Sequence, residues 1–174
     1  MIVPNYYENP AVLHENTMPY RAYYIPASRE MDSLIDHREL SDRLQLLNGI
    51  WRFRWFDSIY DLQDEFYKTD YDDAAFRDVK VPGVWQNYGC DTHQYANYRY
   101  PFPADPPYVP TENPCGAYLL DFSCRSHPEA PRAYLNFEGV DSCFYVWLNG
   151  RYVGYSQVSH ATHEFGYLGT SEKQ

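Results

Sequence analysis

The clearest pattern lies in the last third of the chain, where apolar and polar positions alternate with a period of two. In R-A-Y-L-N-F, Ala133, Leu135 and Phe137 share one face. In C-F-Y-V-W-L, Phe144, Val146 and Leu148 share one face, and Cys143, Tyr145 and Trp147 the other. This is the period of a strand with a face against a core. Asn149-Gly150 follows and leads into R-Y-V-G-Y-S-Q. Both central residues of a tight hairpin turn take positive φ, so Asn-Gly between two such runs predicts a hairpin. In L-L-N-G-I-W-R-F-R-W-F (residues 46–56), Trp51, Phe53 and Trp55 alternate with Arg52, Arg54 and Phe56, which predicts another half-buried strand. F-R-D-V-K-V-P-G-V-W (residues 76–85) predicts a strand stopped by the turn pair Pro82-Gly83.

Elsewhere the pattern is weaker. Residues 1–45 are punctuated by proline, which biases the preceding residue to extended geometry, and they read as an extended arm with little core of its own. Such an arm must lie against its own domain or a neighbouring subunit. Within it, S-R-E-M-D-S-L-I-D-H-R-E-L predicts a short helix from Ser28, with serine as N-cap and acids in the first turn. D-S-I-Y-D-L-Q-D-E-F-Y (residues 57–67) predicts a short surface helix. Residues 95–118 hold six of the 13 prolines and five of the 19 tyrosines, so they are expected to form neither a helix nor an ordinary strand. They form instead a stiff aromatic loop with Asn97 near its start. Many short strands joined by long loops place the chain in the all-β class, as a jelly-roll β-sandwich over residues 46–165.

Composition narrows the function. A length of 174 residues supports one domain with a substantial core. A net charge of −10 without any basic run argues against nucleic acid, which needs clustered Lys and Arg. No apolar run approaches the ~20 residues of a membrane span. The first ten residues lack a charged region followed by an apolar one, so the expected location is the cytoplasm, with Cys90, Cys115, Cys124 and Cys143 reduced and structural. C-D-T-H and H-A-T-H have ligand-like gaps but no second pair at zinc spacing, so no zinc is predicted. The acids of D-L-Q-D-E-F and Y-D-D-A read as solvated surface.

Six segments then occur in order: E-N-P-A-V (residues 8–12), L-N-G-I-W-R-F-R-W-F, V-P-G-V-W-Q, Y-A-N-Y-R-Y-P, P-P-Y-V-P-T-E-N-P-C-G-A-Y and L-N-G-R-Y-V-G-Y-S-Q. Together they resemble the N-terminal sugar-binding domain of the large bacterial β-galactosidases of glycoside hydrolase family 2. The resemblance implies a galactose-binding-like jelly roll beside a catalytic (β/α)₈ barrel that carries two glutamates. Such enzymes hydrolyse terminal β-galactosides with retention, which needs two carboxyls about 5–5.5 Å apart. Nothing in this chain matches the barrel motifs, so no catalytic residue is assigned and the isolated chain is expected to be inactive.

The resemblance further implies that the Asn of Y-x-N-x-x-Y-P hydrogen-bonds galactose. The motif matches at Tyr95, Asn97, Tyr100 and Pro101, making Asn97 the leading substrate-binding residue, with Tyr98 on the same wall. An amide offers donor and acceptor to adjacent hydroxyls. An Asn in a loop also bonds its own backbone, and that alternative stands beside the first. The family places Mg²⁺ where the arm turns, and Asn9, Val12 and Gln157 match its ligands. Tyr6, however, holds a position expected to be Asp, and a later Asp ligand would fall beyond Gln174. Loss of carboxylates weakens a hard-cation site, so Asn9 and Gln157 are expected to act as structural hydrogen-bonders and the chain to bind no Mg²⁺ alone.

Where the family continues S-E-F-D, this chain reads H-E-F-G (residues 163–166) and ends eight residues later. The jelly roll is therefore expected to lack its closing strands, with residues 166–174 disordered or paired between molecules. The implied partners are galactose or a β-galactoside, the remaining domains of the hydrolase, and further copies of the chain through the arm or the open sheet edge. The alternatives are a free-standing, lectin-like galactose-binding module and an inert truncated product. Related glucuronidases and mannosidases share this domain.

Overall fold

A computed structural model describes residues 2–95, 97, 100, 102–125 and 127–167. The chain is all-β, as the alternation predicts. Its strands are β1 (His14–Glu15), β2 (Gly49–Phe56), β3 (Arg77–Val81), β4 (Cys115–Leu119), β5 (Ala133–Phe137), β6 (Cys143–Leu148), β7 (Arg151–Gln157) and β8 (His163–Tyr167). They pair antiparallel in three sheets, ordered β3-β2-β4, β1-β7-β6 and β5-β8. The predicted hairpin joins β6 to β7, and its turn residues Asn149 and Gly150 take φ of 50° and 77°. A register shift between Val146 and Trp147 kinks the pair.

The two faces of β2 sort the core. Phe53 is fully buried on one face, with Val79 of β3, Tyr118 of β4 and the flanking Trp51 and Trp55. Trp85, Tyr88 and Cys90 of the segment after β3 pack on that face. On the other face Phe56 and Ala117 meet Tyr145 and Trp147 of β6, so these two sheets pack across an aromatic layer. Phe144 points the opposite way from Tyr145 and meets Phe137, His163 and Phe165 of the β5-β8 sheet. Both faces of β6 are therefore covered.

The arm lies against its own domain. His14 and Glu15 pair with Ser156 and Tyr155 of β7. Thr17 then bridges Phe165, and the Met18 N–H donates to Glu164 O at 2.7 Å. The arm thus runs along β7 and passes to β8, linking the two sheets built by the end of the chain.

Both predicted helices are corrected. The segment from Ser28 forms two 3₁₀ turns, Asp32–Leu34 and Arg38–Leu40. Leu34 is buried but Ile35 is 84% exposed, so no apolar stripe holds a longer helix to the core. Residues 57–67 keep one 3₁₀ turn, Ile59–Asp61, capped by Ser58 Oγ. Here tertiary bonds win, because Ile59 N–H donates to Asn113 O at 2.8 Å and Ser58 Oγ to Thr111 O at 2.6 Å.

The acids of this region are not simply solvated. Asp64 meets Arg54 at 3.3 Å, and Asp73 pairs with Arg52, while Leu62 and Phe66 on either side of Asp64 are buried in the core. The proline-rich segment also becomes regular after its last proline, Pro114, where Cys115 opens β4. Gly116 is required there, because a Cβ would lie 2.5 Å from the Phe53 ring. Gly166 and Tyr167 pair with Tyr134 and Ala133, and residues 168–174 lie outside those described. Among the described residues no helix is long and apolar enough to cross a membrane.

Candidate functional site

Asn97 sits on the loop between β3 and β4, and both ends of that loop are tied to the core. At the entry, Trp85 stands edge-on to Trp55 at 4.9 Å between centroids. Gly89, at φ 79°, ends the short turn Trp85–Tyr88. Arg77 Nη2 lies 2.8 Å from both Tyr88 O, to which it donates, and Cys90 Sγ. At the exit, Val109 N–H donates to Glu8 Oε1 at 3.0 Å. Thr111 and Asn113 are held by Ser58 and Ile59 as described above.

Between these fixed ends Asn97 is exposed, and its Nδ2 donates to Tyr95 Oη at 3.1 Å. Bonding one end of a planar amide sets where the other points, so Oδ1 lies on the side away from Tyr95. Tyr95 and Tyr100 are 70% and 77% exposed. The predicted partner Tyr98 lies outside the described residues, as does Pro101 of the motif. An exposed amide bonded to the exposed Tyr95 is suited to a polyhydroxylated ligand, with hydroxyls on the amide and C–H faces on the ring.

Of the second predicted group, Gln157 reaches Val12, and Asn9 lies on the same bend of the arm, its backbone oxygen accepting the Val12 N–H at 2.9 Å. Gln157 Nε2 donates to Val12 O at 3.1 Å, and its backbone N–H donates to Leu13 O at 3.1 Å. Asn9 Oδ1 accepts the Ala11 N–H at 3.1 Å, an Asx turn that shapes the arm's bend. These oxygens are neutral and already hold protein donors, whereas Mg²⁺ normally keeps one or two carboxylates. Among the described residues no group of three or more His, Cys, Asp or Glu is placed to hold a metal. On this donor set the residues do not fit Mg²⁺ by themselves.

Two carboxylates that the motifs did not single out organise the arm. Glu8 accepts Val109 N–H and the Asn5 amide (2.7 Å), and these bonds, Val109 first, hold its carboxyl below the usual range. Glu15 accepts Tyr6 Oη at 3.1 Å and Tyr152 Oη at 2.7 Å. The Glu of E-N-P was visible in the sequence, but a partner 101 residues away was not. The H-A-T-H pair is split: His160 is exposed, while His163 is buried with Ser156 Oγ 2.7 Å from its Nδ1.

Over residues 44–169 the sequence matches the family described as "Glycosyl hydrolases family 2, sugar binding domain". It is 48% identical over 166 residues to a beta-galactosidase of Actinobacillus pleuropneumoniae, covering 95% of this chain and 16% of that protein. A beta-galactosidase of Staphylococcus xylosus is 43% identical over 166 residues, with the same 95% and 16% coverage. One of Pectobacterium atrosepticum is 37% identical over 177 residues, covering 97% of this chain and 16% of that protein. The chain therefore spans about one sixth of the length of these relatives, from their 16% coverage.

Proposed function

The chain belongs to the sugar-binding domains of the family 2 glycosyl hydrolases, and on that premise we propose that it forms one wall of the galactose pocket of a β-galactosidase. In this reading the domain is a galactose-binding-like jelly roll. The two catalytic carboxyls of a retaining mechanism lie on another domain of the same enzyme. Asn97 is a substrate-binding residue. Its Oδ1 accepts a hydrogen bond from a sugar hydroxyl, while Tyr95 holds the amide in orientation. The arm makes subunit contacts in a homo-oligomer, and the enzyme works in the cytoplasm. The isolated chain does not turn over substrate.

The observation that carries this reading is the presentation of Asn97: an exposed, oriented amide on a loop anchored at both ends. Anchoring lowers the entropy cost of ordering the loop on the ligand. The test is Asn97→Ala in the hydrolase that carries this domain, assayed with a chromogenic β-galactoside. Loss of one hydrogen bond that tightens toward the transition state lowers kcat/KM about tenfold, or about 1.4 kcal/mol. An unchanged kcat/KM removes Asn97 from the site.

The exposed Tyr95 and Tyr100 rings favour one second reading, a module that binds galactose unaided. Saturable quenching of tryptophan fluorescence by galactose in the isolated chain, abolished in Asn97→Ala, selects it over the shared pocket.

A further inference from the structure

The geometry points to a latch that fastens the arm without a cation. We propose that in this protein direct hydrogen bonds do the work that the family resemblance gives to Mg²⁺ at Asn9, Val12 and Gln157. Five bonds hold residues 4–15 in place, four of them to the β6-β7 hairpin and one, from Tyr6 to Glu15, within the arm itself. Gln157 supplies two, from Nε2 to Val12 O and from its N–H to Leu13 O, each 3.1 Å. Tyr6 and Tyr152 supply two more, to the two oxygens of Glu15 at 3.1 and 2.7 Å. Tyr145 Oη donates the fifth, to Pro4 O at 2.6 Å.

The same bonds leave a cation little to bind. Val12 O and Asn9 Oδ1 already accept N–H groups. Tyr6 stands where a carboxylate ligand is expected, and a neutral phenol is a poor ligand for a hard divalent ion. Its hydroxyl is turned to Glu15, and that bond, with burial, keeps the phenol protonated by raising its pKa. Both nearby arm carboxylates are in use, Glu15 on the two tyrosines and Glu8 on Val109 N–H and Asn5. An entering ion would have to break several of these contacts and would find neither Glu8 nor Glu15 without hydrogen-bond partners. On the hairpin, Tyr145 packs against the arm's Tyr6 and the buried Tyr155, which Tyr6 also meets, while Tyr152 packs edge-on to Trp147. The latch is therefore part of the aromatic packing and not an appendage to it.

The test uses the purified chain, stripped with EDTA and then titrated with MgCl₂ alone to about 10 mM, following Tm and amide exchange in the arm and at Gln157. The expected result is a Tm that stays within about 1 °C across the titration. Gln157→Ala is expected to lower Tm and to speed exchange at the arm amides by the same factor in EDTA and in Mg²⁺. Should Gln157→Ala fail to fold, Tyr152→Phe keeps the ring, deletes one bond to Glu15, and is expected to speed arm exchange about fivefold in both media. A saturable Mg²⁺-dependent rise in the wild-type Tm that Asn9→Ala abolishes overturns the proposal. So does arm exchange that neither Gln157→Ala nor Tyr152→Phe alters.

Discussion

Gly154 sits in the middle of β7, where the arm crosses on one side and the Phe165 ring presses from β8. A Cβ at this position would meet the backbone oxygen of Glu15 well inside contact distance, and Phe165 Cε1 and Cδ1 at 2.7 and 3.0 Å. The ring has nowhere to go. Phe165 is fully buried, with Phe137 and Phe144 at 5.9 and 6.0 Å between centroids. Glu15 O belongs to β1, so relief there means lifting the arm from β7. Overpacking a filled core costs about 1–3 kcal/mol, and an obstacle that includes backbone puts Gly154→Ala near the top of that range, about 3 kcal/mol. At about 3 °C per kcal/mol for a chain of this length, Tm falls by about 9 °C. Gly166→Ala serves as the control, since its Cβ would meet only Met18 Sδ at 3.5 Å and Tyr134 Cε1 at 3.9 Å, ordinary contacts. Thermal and urea unfolding followed by tryptophan fluorescence measure both variants, with Gly166→Ala expected within about 0.5 kcal/mol of the wild type. Equal stabilities for the two variants would refute the close crossing of arm, β7 and Phe165.

Three further outcomes follow from the same geometry. Arg38 Nη1 donates to Tyr23 Oη at 2.9 Å and to both oxygens of Glu138 at 2.7 and 2.8 Å. Because both partners are partly exposed, Arg38→Ala is expected to cost about 1 kcal/mol in low salt and less in about 1 M NaCl, and a salt-independent loss in urea titrations contradicts this. Glu8 is held below its ordinary pKa chiefly by Val109 N–H and then by Asn5. A depressed folded value means the stabilisation is full above the unfolded pKa of about 4.3 and is lost as pH falls through the folded one. Glu8→Gln should therefore flatten the acid limb of Tm against pH, and superimposable limbs count against the Val109 bond. Burial pushes the Cys115 thiol up to about 12 and also raises Cys143, while Cys124 is exposed. The thiolate is the nucleophile, so iodoacetamide near pH 8 should modify Cys124 at least about tenfold faster than Cys115, and similar rates in peptide maps argue against that burial.

The strands were legible because their signals are local. Alternation around Phe53, Leu135 and Val146 reports a face against a core, and Asn149-Gly150 reports a turn geometry that few residue pairs adopt. The helices expected at Ser28 and after Asp57 were read from equally local cues, acids and a cap. The first failed because Ile35 is exposed and no apolar stripe binds the segment to the core, the second because a distant backbone took the hydrogen bonds, as Asn113 does at Ile59. The stiffness of the loop bearing Asn97 was legible in its prolines. Its anchorage was not, because Arg77, Glu8 and Ser58 reach it from three other parts of the chain. The convergence of Asn9, Val12 and Gln157 was legible only through family resemblance, since the Gln157–Val12 bond spans 145 residues.

The arm's pairing also dictates an order of events during synthesis. The partners of residues 14–17 are residues 155, 156 and 165, so this stretch has no strand to join until β7 and β8 have been made. At about 5–20 residues per second that wait lasts about 7–30 s, during which β2, β3 and β4 already have one another. Closing so long a separation is slow, and it comes after the nearer contacts have formed. The arm's strand is thus made well before the strand that receives it.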